Sequence, residues 1–115
     1  MTIQILHNPR CSKSRATLQL LREAGHEPEI ILYLENPPDA AQLKNILAAL
    51  GRSPRELMRI REPEYRELGL GDEALSHEAL IEAMVSTPKL IERPIVLNAG
   101  RAAVGRPPES VLDIL

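Results

Sequence analysis

Residues 3–34, IQILHNPRCSKSRATLQLLREAGHEPEIILYL, decide the fold. Ile3 to His7 is short and mostly apolar, which predicts a buried strand. Asn8-Pro9 signals a turn. From Ser12 the spacing becomes helical, with Leu18, Leu21 and Ala24 on one face and Gly25 as the stop. After Pro28, residues 29–34 form an apolar run, which predicts a strand covered on both faces. Strand, helix and strand in that order make a parallel, right-handed βαβ unit.

Beyond it, Asn36-Pro37-Pro38-Asp39 breaks the chain. Asp39 can cap a helix that carries Leu43, Ile46, Leu47 and Leu50 and stops at Gly51. Ser53-Pro54-Arg55-Glu56 is a capping box with proline at the first helical position. Residues 61–68 are charged and read as a helical turn. Ser76 caps a further helix through Ile81 and Met84, with Leu75 and Leu80 as a hydrophobic staple; it ends before Thr87-Pro88. Ile95-Val96-Leu97, a turn at Asn98-Ala99-Gly100 and a return strand over residues 101–104 predict a hairpin. Pro107-Pro108 open a last helix bearing Val111, Leu112 and Leu115. The order βαβ, helices, ββα predicts an α/β fold. It is a thioredoxin-like sheet with a helical insertion between its two halves, in a single domain over residues 1–115.

The totals narrow the function. With 115 residues and 43% hydrophobic content, the chain can bury a core of its own. Two tyrosines are its only aromatics, so it lacks the stacking platforms that single-stranded nucleic acid needs. A net charge of −2 with no basic block speaks against duplex binding. No apolar run reaches membrane-spanning length and no signal-peptide pattern opens the chain, so a cytoplasmic protein is expected. His7, His26 and His77 are scattered and the cysteine is single, so no metal site is expected.

That cysteine, Cys11, lies where a strand gives way to a helix, beside Arg10, Lys13 and Arg15. A lone cysteine is often a small core residue. At a helix N-terminus, however, free N–H groups, the dipole and neighbouring cations favour a thiolate. The N–H groups of Lys13, Ser14 and Arg15 offer a cradle for a tetrahedral anion above the sulfur. A thiolate facing an anion is repelled by roughly 4 kcal/mol at 4 Å and an effective dielectric near 20, so further arginines are required. A phosphatase loop needs arginine six positions after the cysteine, where this chain has Thr17. A dithiol motif needs a second cysteine where it has Ser14. Any resolving thiol must therefore come from another molecule.

HNPRCSKSR, ILYLENPP, RELMR, IERPIV and GRPPESVLDIL resemble the glutaredoxin-linked arsenate reductases of thioredoxin fold, and the match runs in order from residue 3 to residue 115. The resemblance implies that Cys11 attacks the arsenic of arsenate. Glutathione then attacks the adduct, glutaredoxin removes the glutathione, and arsenite leaves. By position within the matching blocks it assigns Arg59, Arg93 and Arg106 to the oxyanion and His7 to activation of the thiol. Ser14 is expected to donate to the sulfur or the anion, with Arg15 nearby. The Arg93–Pro94 bond is expected to be cis, with Pro94 facing the cysteine. The partners implied are arsenate, glutathione as co-substrate and glutaredoxin, with no tightly bound cofactor and a monomeric chain. Some members of the family are instead redox-sensing regulators that bind RNA polymerase. They typically sense redox state through C-x-x-C, a switch that Ser14 argues against here. A non-arsenate redox or protein-binding member of the same family is the alternative reading.

Overall fold

In the computed structural model, which describes residues 2–115, the opening stretch forms β1 (Gln4–Leu6), α1 (Ser12–Glu23) and β2 (Glu29–Ile31). β1 and β2 pair in parallel, with Ile5 opposite Ile30. Late in the chain come β3 (Ile95–Asn98) and β4 (Arg101–Val104). β3 runs antiparallel to β1, with Val96 opposite Ile5, and β4 runs antiparallel to β3. The sheet order β2-β1-β3-β4 is thioredoxin-like, as the element order predicts.

The chain folds as two compact units. One is made of the residues up to Asn36 with Arg93–Leu115, and the other is Pro37–Glu92. In the first, Ile3, Ile5 and Val96 from one face of the sheet pack with Leu18 and Leu21 of α1 and with Val111 and Ile114 near the chain end. Alternation along the strands and the i, i+3 spacing on the helix bring these side chains together. α1 ends in a Schellman motif. Gly25, at φ +90°, donates its N–H to the Arg22 carbonyl, and the His26 N–H reaches the Leu21 carbonyl, both at 3.0 Å. Ala24, expected on the buried face, is the exposed C-cap.

Two expectations about this unit need correcting. β2 stops at Ile31, and Glu29 and Ile30 are exposed, so it is an edge strand rather than one covered on both faces. The apolar run continues, but the backbone turns: the N–H groups of Glu35 and Asn36 both donate to the Leu32 carbonyl at 2.9 Å, and only Tyr33 is buried. A run of apolar residues does not reveal where its backbone bends. The last helix is 3₁₀ over Pro108–Ile114 rather than α-helical. At three residues per turn, Val111 and Ile114 line up on the buried side, while Leu112 is 44% exposed.

The second unit is helical: α2 (Ala40–Leu50), α3 (Pro54–Leu57), α4 (Pro63–Glu67), α5 (His77–Ser86) and a 3₁₀ turn over Pro88–Leu90. Its starts follow the sequence closely. Asp39 and Gln42 form a reciprocal capping box at 2.8 and 2.9 Å, Ser53 and Glu56 form another, and Ser76 Oγ accepts from the Ala79 N–H. Leu43, Leu57, Met84, Leu90 and Ile91 have no exposed surface. Among the described residues no helix is long and apolar enough to cross a membrane.

Candidate active site

Asn8-Pro9-Arg10-Cys11 is a tight turn, closed by the Cys11 N–H donating to the Asn8 carbonyl at 3.0 Å. Proline presets the second turn position, and the Asn8 side chain accepts from the Arg10 N–H at 3.0 Å. The turn delivers Cys11 to the N-cap of α1, in extended backbone conformation, with 8% of its surface exposed. Burial alone would push the thiol up. The backbone N–H of Ser14, the Arg93 guanidinium, the N–H of Lys13 and the Arg106 guanidinium together outweigh it, and the thiol lies below its ordinary value of 9.0. Neither N–H completes a capping hydrogen bond to Sγ; both lie near enough to favour its charge.

The expected cradle of three N–H groups is reduced to two. With Cys11 as N-cap, the fourth helical residue is the first to enter the helical ladder, and the Arg15 N–H donates to the Cys11 carbonyl at 3.0 Å. The Arg15 guanidinium instead ties the helix to the turn by donating to the Pro9 carbonyl at 2.9 Å.

Arg106 supplies the cation in direct reach: its Nη2 donates to Cys11 Sγ at 3.6 Å, and its Nε donates to the Arg93 carbonyl at 2.8 Å. The Arg93–Pro94 and Arg106–Pro107 peptides are both cis. The Gly105 N–H donates to the Pro94 carbonyl at 2.9 Å, so the two arginine-proline segments are bonded side by side. The second cis peptide was not anticipated.

His7 and Ser14 are both buried and share a 2.6 Å hydrogen bond between Nδ1 and Oγ. Ser14 Oγ also accepts from the Asn8 N–H at 3.0 Å. We assign the hydroxyl proton to the bond toward Nδ1, which leaves the ring proton on Nε2. Burial first, then the charges of Arg22 and Arg15, hold the imidazole below its usual 6.5, so it is neutral near pH 7. Ser14 therefore meets the cysteine through its backbone N–H, while its hydroxyl joins the strand end to the helix. The sequence predicts donation by Ser14 to the sulfur or the anion; the group it turns that way is the backbone N–H.

Arg59 lies in the helical unit. There its Nη2 pairs with Glu62 Oε1 at 2.8 Å and its N–H donates to the Leu90 carbonyl at 2.7 Å. Glu62 also lies 3.8 Å from Lys89 Nζ. Among the described residues no three His, Cys, Asp or Glu side chains gather as metal ligands would. Two residues at the site escaped the sequence reading. Thr17 has no exposed surface, and its Oγ1 donates to the Lys13 carbonyl at 2.8 Å. Gly105 lies against it. The available signal was the position of Thr17 one turn beyond Ser14, on the stripe shared with Leu18 and Leu21. Chemically, the first unit offers a stabilised thiolate with fixed cations beside it, an arrangement suited to attack on an electrophile that carries negative oxygens.

Residues 6–114 match the ArsC family. An uncharacterised protein of Escherichia coli K12, YfgD, is 61% identical over 114 residues, covering 98% of this chain and 96% of that protein. A Neisseria meningitidis protein named arsenate reductase is 51% identical over 98% of this chain and 97% of its own length. The solved structure of an arsenate reductase from Vibrio cholerae superposes with a TM-score of 0.97 at 52% identity, covering 100% of this chain and 98% of that one.

Proposed function

We propose, from the premise that this chain belongs to the ArsC family, that it reduces arsenate to arsenite through a covalent cysteine–arsenic adduct on Cys11. The observation that carries this reading is the Arg106 guanidinium 3.6 Å from a cysteine sulfur at a helix N-terminus. The thiolate attacks As(V), and an arsenate oxygen leaves as water after protonation. Glutathione attacks the same arsenic and displaces a second oxygen. A glutaredoxin thiolate then attacks the glutathione sulfur, forming a glutathione–glutaredoxin disulfide. The electron pair of the arsenic–sulfur bond stays on arsenic, which becomes As(III). Hydrolysis releases arsenite and returns Cys11 as a thiol. The two electrons thus come from two external thiols, as a chain with one cysteine requires.

Arg93 and Arg106 neutralise the repulsion between thiolate and oxyanion. Arg59 is assigned to the oxyanion by the family resemblance. His7, neutral and bonded to Ser14, orders the strand end beside the helix that holds the cysteine. The reducing cytoplasm, where glutathione is abundant, is the compartment that suits this reaction. The chain is taken to act as a monomer.

The test is arsenite production from arsenate by the purified protein with glutathione and glutaredoxin. Cys11→Ser should abolish it, and omission of either reductant should stop turnover. Arg59→Ala, Arg93→Ala and Arg106→Ala should each weaken transition-state binding by about 2–4 kcal/mol if they act as preorganised donors. Turnover by Cys11→Ser would refute the mechanism. A loss below about 0.5 kcal/mol at an arginine would return it to the ordinary solvated kind.

A further inference from the structure

Thr17 is completely buried on α1, six residues beyond the cysteine, and its Oγ1 donates to the Lys13 carbonyl. That carbonyl and the Ser14 N–H are the two ends of a single peptide group. An α-helix already provides the carbonyl with one donor, the backbone N–H of residue 17 itself, so the hydroxyl is a second. Hydrogen bonds along such a chain polarise one another, by about 10–30% per bond in condensed phase. The far end of this peptide is the Ser14 N–H, which belongs to the third residue of the helix that Cys11 caps and so lies in the turn an N-cap side chain faces.

The hydroxyl is enclosed. Gly105 approaches so closely that a Cβ built there would fall 3.1 Å from Thr17 Cγ2, nearer still to Thr17 Oγ1, and 2.8 Å from Pro94 Cγ. Its φ is not positive, so glycine serves here for space rather than for backbone conformation. A β-branched side chain in a helix has few χ1 choices, and this packing removes room for the others. The next residue after Gly105 is Arg106, which reaches the same sulfur.

We propose that Thr17 is a positioning residue for the Cys11 nucleophile: its hydroxyl, donating to the peptide between residues 13 and 14, holds and polarises an amide whose N–H lies in the first turn of the helix that Cys11 caps. A purely structural role makes a different claim. Threonine hydroxyls commonly bond back to the preceding turn merely to satisfy themselves when buried. On that account valine would serve equally well.

The proposal deepens the reading of Cys11 as the nucleophile, and its test needs no arsenate. The rate of Cys11 alkylation by iodoacetamide is measured against pH for the intact protein, Thr17→Val and Thr17→Ser. Valine keeps the branched shape and loses the hydroxyl; serine keeps the hydroxyl. Thr17→Val should shift the midpoint upward by about half a pH unit, an approximately threefold slower reaction below the midpoint, with the high-pH plateau unchanged. Thr17→Ser should retain the original midpoint. An unmoved midpoint in Thr17→Val, or an equal shift in Thr17→Ser, would overturn the proposal. Circular dichroism reports folding; should Thr17→Val fail to fold, Thr17→Ala is compared with Thr17→Ser by the same criterion. A protein whose alkylation responds as expected but which makes no arsenite loses the proposed reaction and keeps this role for Thr17.

Discussion

The acidity of Cys11 is the sum of opposed effects, with burial on one side and two N–H groups and two arginines on the other. Burial disfavours the thiolate, while the Ser14 N–H, Arg93, the Lys13 N–H and Arg106 favour it. Between the folded midpoint and the ordinary 9.0, the unfolded chain binds more protons than the folded one. Stability therefore rises with pH across that window and is lost as pH falls through the folded midpoint. Arg106→Ala should raise the alkylation midpoint and flatten that rise, with the reaction at neutral pH slowed by about threefold to tenfold. The check is the alkylation pH profile together with urea unfolding at several pH values. An unmoved midpoint would mean that the 3.6 Å approach carries no charge stabilisation. Of these residues, Cys11, Ser14 and His7 could be read from one short stretch. Arg106, 95 positions away, could be joined to the cysteine only through the family resemblance or the fold. Thr17 was invisible because a threonine in a helix looks like any other until its burial is known.

At the scale of elements, the caps and turns follow local chemistry. The β3–β4 hairpin closes on Ala99 and Gly100, with φ of +52° and +80° and Asn98 opposite Arg101. Positive φ at both central residues marks a type I′ turn, which suits the right-handed twist of the strands. Glycine tolerates this conformation, whereas alanine adopts it at a cost of about 1–2 kcal/mol. Ala99→Asn should therefore stabilise the protein by about 0.5–1 kcal/mol in urea denaturation, and a destabilisation would show that its side chain meets something the hairpin does not reveal. The capping boxes at Asp39 and Ser53 were legible for the same local reason: donor and acceptor lie three residues apart. The length of β2 and the 3₁₀ form of the last helix were not. Each is set by which carbonyl a given N–H finds, and neighbouring segments decide that.

For the whole molecule, the core of the first unit draws on both ends of the chain. Leu21 of α1 has no exposed surface and packs in a cluster with Ile3, Ile5, Val96, Val111 and Ile114. Leu21→Ala should cost about 2–5 kcal/mol in urea unfolding. Leu112→Ala, at a side chain 44% exposed, should stay within about 0.5 kcal/mol of the parent. Similar losses at the two positions would mean that the 3₁₀ segment packs with a different face.

By itself, the sequence determined the element order, the helix starts and the placement of one cysteine between a strand and a helix. All of these rest on spacings within a few residues. Only the tertiary structure decided that Arg106 reaches Cys11, that Ser14 turns its hydroxyl to His7 at the end of β1, and that Thr17 is sealed against Gly105. The physical reason is range. Capping, turns and periodicity are satisfied by neighbours along the chain, whereas burial and the direction of a guanidinium depend on segments that folding brings together.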